Sequence, residues 1–250
     1  MCRENTGWLT GQGLVDNMEY RWSIDFNNRE FEDSIKLELR KIVSTYISAL
    51  IKKTRPAVKA AVIYHIKNSP EYESMTELRG KLRMDLGIEN AEVVLYQLIE
   101  YIANQISFVK KDGNANSLGG MALYLLKREG LEGLISNPLA SYQSKAGEIP
   151  WLKWLLTEGT ATIIQDYEVR YYDRPQKNSR SKFALMVQPT KIAARTKSSK
   201  FFNSNGNFLG VGGFSIDSEF AGTEDDNWIT RSFNRAIPSI TDIINREAEQ

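Results

Sequence analysis

Apolar residues recur along this chain with two different periods, and the change from one to the other divides it. From Glu30 to Lys53, the residues Phe31, Ile35, Leu39, Ile42, Tyr46 and Leu50 follow one another at spacings of three or four. That is the period of a helix with one buried stripe. Glu32, Asp33, Lys36, Glu38, Arg40, Lys41 and Lys52 fall mostly on the other side. Acids gather at its start, and Lys52, Lys53 and Arg55 at its end, as the helix dipole favours. Pro56 suits the first turn of a second helix carrying Val58, Ala61, Val62 and Ile66, which Ser69-Pro70 stops. A third helix is predicted over Asn90–Phe108, with Val94, Leu95, Leu98, Ile102 and Ile106 inward. Asp112 to Gly120 reads as a flexible loop by composition, followed by a short helix from Met121 to Leu134 and a Gly- and Pro-punctuated linker to Pro150.

Beyond this point the period shortens. Ile163–Tyr172 and Phe183–Val187 are rich in β-branched and aromatic residues with partial alternation, the mark of strands joined by a polar turn. Phe201–Leu209 places Asn205-Gly206 between aromatic flanks, a hairpin signal. Helical spacing returns in Ile229, Phe233, Ile237, Ile240 and Ile244, behind Glu224, Asp225 and Asp226, with Pro238 expected to kink or divide that helix. Helices first, strands next and a helix last, without βαβ alternation, predict an α+β fold in which N-terminal helices pack on an antiparallel sheet or sandwich with an extended hairpin. The expected layout is an arm over residues 1–27 and a single domain over 28–250. Its helical part spans 28–160, its β part 161–222 and its C-terminal helix 226–248.

Composition narrows the function. The 250 residues are 42% hydrophobic and 25% charged, enough apolar content for a sizeable core. A formal net charge of +1 makes any contact with nucleic acid a local one. Cys2 is the single cysteine and His65 the single histidine, which excludes a disulfide framework and a Cys/His zinc site and suits a reducing compartment. No window approaches the roughly 18 consecutive apolar residues of a membrane span, and Met1–Asp25 lacks the apolar core of a secretory signal, so no membrane association is expected.

Candidate chemistry is thin. A catalytic imidazole at His65 needs a nucleophile or carboxylate that no motif supplies. Gly119-Gly120 and Gly212-Gly213 lack the P-loop lysine and its strand-to-helix context. Glu71 with Glu73, and Asp225 with Asp226, read as solvated acids at helix starts and in loops, rather than a two-metal site. No catalytic residue, cofactor or metal is therefore expected. Charge, however, is segregated: Arg170, Arg174, Lys177, Arg180, Lys182, Lys191, Arg195, Lys197 and Lys200 face one acid, Asp173, in a chain that is net acidic elsewhere. Such a stretch either contacts DNA or an acidic partner, or solubilises a hairpin against edge pairing. Aromatic anchors for a neighbouring copy are Trp8 and Trp22 in the arm, Phe201, Phe202 and Phe208 in the hairpin, and Trp151 and Trp154 in the run WLKWLL, where a core role is the alternative.

Four segments carry a resemblance: NSPEYESMTELRGKLRMDLGI, IPWLKWLLTEGTATIIQDYEVRYYD, SRSKFALMV and EFAGTEDDNWITRSFNRAI. Together they resemble minor virion proteins of tailed bacteriophages that sit at the head-to-tail junction, across roughly residues 55–90 and 148–240. Those proteins have a W-L-x-W-L-L-x-E-G-T helix leading into a strand, a turn of the type S-R-[ST]-G, and a late F-x-G-T-x-x-D-N-[WF]-I-T-R helix start. This chain departs in one place, with Lys182 where the turn usually has glycine. The resemblance implies a structural neck, head-tail joining or tail-completion protein without enzymatic activity. It would be assembled in the bacterial cytoplasm into the virion as a homo-oligomeric ring, a hexamer, touching other neck and tail proteins and enclosing the DNA path. The alternative is a DNA-associated accessory protein that binds through residues 170–200.

Overall fold

The computed structural model describes residues 18–21, 29–114, 117–144, 147–164, 168–187 and 214–250. The fold is α+β, with helices and small antiparallel sheets, and ends in a helix. The chain divides into two compact units, each assembled from separated stretches: unit 1 from 1–66, 98–134 and 232–250, unit 2 from 67–97 and 135–231. No helix among the described residues is long and apolar enough to cross a membrane.

Unit 1 is organised by α1, Arg29–Lys67, which runs without a break through Pro56 where two helices were expected. Proline deprives the carbonyl four residues back of its donor. Here that residue, Lys52, is exposed along with Pro56, so water can serve the carbonyl and the helix continues. The buried stripe is Ile47, Leu50, Thr54, Val58, Val62 and Ile66, at helical spacing. Ile42 and Tyr46, by contrast, are 63% and 40% exposed while Ile35 and Leu39 are half-buried, so the apolar face predicted for the first half of α1 is only partly covered.

Residues 107–124 correct the loop and helix expected there. They form strands β2, Ser107–Asn114, and β3, Ser117–Tyr124, with β3 central between β2 and β1, Met18–Arg21. β3 is buried on both faces, so its run LGGMALY has no alternation to distinguish it from a helix. Gly119 sits at φ +106, and a Cβ there would come within 2.8 Å of the Lys111 carbonyl oxygen. This glycine fits a strand under close approach, where composition alone reads as a loop. Helix α5 is confined to Arg128–Ile135.

Unit 2 contains α2, Pro70–Thr76, and α3, Lys81–Leu86. The helix predicted over Asn90–Phe108 is α4, Ala91–Gln105, whose first turns belong to this unit. The hairpin of β4, Tyr142–Ser144, and β5, Gly147–Ile149, leads into α6, Trp151–Thr157. The strands predicted after it are β6, Glu168–Tyr171, and β7, Ala184–Val187, paired antiparallel from Glu168↔Val187 to Tyr171↔Ala184. The last helix, α7, Trp228–Ala248, starts in unit 2 and is not divided by Pro238, which is exposed along with Asn234 four residues before it.

Candidate functional site

The four resembling segments all contribute to unit 2, and their polar residues hold one another. Ser69 caps α2 by accepting from the Tyr72 amide at 3.2 Å, and its hydroxyl also accepts the indole N–H of Trp228 at 2.7 Å. Asn227 caps α7: its side-chain oxygen accepts from Ile229 and Thr230 amides at 3.0 and 3.1 Å, while its amide nitrogen donates to Thr223 and Glu224 carbonyls. Gly222 lies against this cap, with no room for a Cβ, which would sit 2.7 Å from both the Leu155 carbonyl and Asn227 Cβ. Arg231 Nη2 meets Glu71 Oε1 at 2.8 Å, and Arg231 also donates to the carbonyls of Phe220 and Ala221. Glu71 is only 2% exposed, which corrects the expectation of a solvated acid. Asp225 and Asp226 are exposed as expected.

On this frame sits the basic turn between β6 and β7. The Tyr172 amide donates to the Phe183 carbonyl at 2.8 Å and Gln176 to Lys182 at 2.6 Å, closing the turn. Buried Ser179 and Ser181 both donate to the Ala184 carbonyl. Lys182 adopts φ +70, the left-handed conformation that glycine takes without strain. The position where this chain departs from the S-R-[ST]-G turn is thus one where glycine's freedom would be used. The Arg79 guanidinium lies 4.9 Å from the Phe183 ring centre and donates to the Asp173 carbonyl. Arg180 stacks 4.1 Å over the Tyr142 ring and reaches Glu89 at 3.5 Å.

Arg180, Ser181 and Lys182 line an open cleft of about 280 Å³ together with Arg83, Glu89 and Asn90. Beside it, α3 carries a second polar cluster. The Tyr171 hydroxyl donates to Asp85, and Lys81 pairs with Asp217. Burial raises the Asp85 carboxyl above its usual range, against the Tyr171 hydrogen bond and the Lys81 charge. Burial and the Asp85 carboxylate raise the Tyr171 phenol, while the Lys81 hydrogen bond lowers Asp217. Tyr142 is raised by burial, opposed by Arg180, and its hydroxyl donates to the Leu86 carbonyl at 2.9 Å. The chain matches no family model, no curated protein and no solved structure.

Of the predicted contact residues, Arg180 and Lys182 are brought together at the cleft, Arg174 and Lys177 are exposed on the same turn, and Arg170 is half-buried on β6. Lys191, Arg195, Lys197 and Lys200 lie outside the described residues, as do Trp8, Trp22, Phe201, Phe202 and Phe208. Trp151 and Trp154 are buried in unit 2, at 2% and 9% exposure, and the Trp151 indole donates to the Leu139 carbonyl. They have almost no surface to offer a neighbouring copy, so the core alternative holds for both. His65, in unit 1, lies 3.2 Å from the Ser239 hydroxyl and edge-on to Tyr64. Arg83, Glu89 and Asn90 were missed, because nothing in linear spacing ties residues 83–90 to residues 180–182.

Proposed function

We propose that this chain is a structural subunit of the neck or tail end of a tailed bacteriophage, built into a homo-oligomeric ring. One observation supports it above the others. The residues that spell the resemblance, from Ser69 and Glu71 to Gly222, Asn227, Trp228 and Arg231, are the caps, close approaches and buried ion pair of a single compact unit. Residues needed for a fold, rather than for a reaction, are what a family of structural parts would share. Leu37 and Ile42, exposed on α1, supply apolar surface of the kind a neighbouring copy covers. Light scattering of the purified chain and mass spectrometry of purified particles test the proposal. A defined oligomer, and the chain among the particle proteins, are expected. A protein that stays monomeric and is missing from particles refutes it.

A second function, a DNA-associated accessory protein, is favoured by the exposed cations Arg174, Lys177, Arg180 and Lys182 on one turn. It requires DNA affinity that falls steeply with salt.

A further inference from the structure

We propose that the cleft lined by Arg83, Glu89, Asn90, Arg180, Ser181 and Lys182 binds a single phosphate group. Charge is the first reason. Two guanidinium groups and one ammonium face one carboxylate there, and the planar fork of arginine matches the oxygens of a phosphate. The second reason is anchoring. Arg83 gives Nη1 to the Thr76 carbonyl at 2.8 Å, which holds its guanidinium in place at the wall of the cleft.

Backbone geometry is the third. Asn90 at φ +48 and Lys182 at φ +70 are the two non-glycine residues in the left-handed region among those described, and both line this cleft. Asparagine visits that region readily, but lysine gains nothing local there. Strain of this kind collects where a ligand is held. Asn90 also leads into α4, its backbone carbonyl accepting from the Val93 and Val94 amides.

Glu89 then has a defined role. Its pair with Arg180 spans 3.5 Å with both side chains about two-fifths exposed, a weak contact that is readily exchanged. The carboxylate holds Arg180 in place until a phosphate takes it over. The site stands on unit 2 alone and is independent of ring formation; only its DNA arm is shared with the second function above.

The test is calorimetric titration of the full chain with inorganic phosphate, and separately with a short DNA duplex, alongside light scattering. Saturable phosphate binding is expected. Glu89→Gln should tighten it about 2- to 5-fold, and Arg180→Gln should weaken it at least roughly 10-fold. Lys182→Gln should weaken it as well, and serves if the Arg180 variant fails to fold. DNA that competes with phosphate identifies a nucleic-acid backbone as the source. Phosphate binding that DNA does not displace identifies a free phosphate or a small phosphate ester. Absence of saturable phosphate binding, or binding that none of the three variants alters, overturns the site whatever the oligomeric state.

Discussion

Replacing Arg231 with methionine should cost about 3 kcal/mol of stability. The guanidinium contacts Glu71 Oε1 through Nη2 at 2.8 Å and Nε at 3.0 Å, and the Glu71 side chain is 3% exposed against 24% for Arg231. Removing one member of a buried pair typically costs roughly 3–5 kcal/mol, because the remaining charge stays in a low-dielectric site. Partial exposure of Arg231 places the loss at the lower end. For a chain of this size that lowers the melting temperature by roughly 6–12 °C. Glu71→Gln alone should cost only about 1 kcal/mol, since Arg231 keeps Asp226 and two carbonyls as partners. The double variant should cost about 2 kcal/mol, less than Arg231→Met, because no buried carboxylate is then stranded. Urea unfolding followed by tryptophan fluorescence measures all three and gives a coupling of about 2 kcal/mol. A coupling under about 0.5 kcal/mol, or an Arg231→Met variant as stable as the parent, would show that the pair does not hold unit 2 together.

Asn227→Ala removes a buried cap that accepts two amides and donates to two carbonyls, and should cost about 2 kcal/mol in the same assay. Lys182→Gly should stabilise by roughly 0.5–1 kcal/mol, the left-handed strain relieved less the added chain entropy; a destabilised variant contradicts the assigned backbone. Asp85 yields a pH signature. Its folded-state pKa is raised above 3.8, so the folded protein binds the proton more tightly, and stability from this group falls as pH rises through that window. Asp85→Asn, which can still hydrogen-bond to Tyr171, should therefore exceed the parent in stability at about pH 8 and lose that advantage towards about pH 4. Unfolding curves that run parallel across this range would refute the burial penalty.

Elements whose burial repeats at a fixed period were legible from residues alone: α1, α4, the β6–β7 pair and α7 lie near their predicted positions. Pro56 misled, because it stands on a solvated face where the orphaned carbonyl is tolerated, and Pro238, likewise exposed, does not divide its helix. Ile42 and Tyr46 misled in the opposite sense, since periodicity marks an apolar face without saying whether anything covers it. The β2–β3 hairpin was hidden by Gly119-Gly120 and by a strand buried on both sides. At the cleft, the basic turn could be found from charge segregation, but its partners from residues 83–90 meet it only through tertiary packing.

The interleaving of the two units has a consequence for biosynthesis. Unit 1 takes residues 232–250 as its last stretch, and these are translated only after every residue of unit 2. Phe233, Ala236, Ile240 and Ile244, all buried, are thus missing from unit 1 while the chain up to Arg231 emerges from the ribosome. The two bodies cannot mature in simple vectorial order, the first beside a nascent second. A stop codon shortly after position 231 would spare the whole sequence of unit 2 yet strip unit 1 of that apolar row, so the damage would surface in the body that synthesis began first.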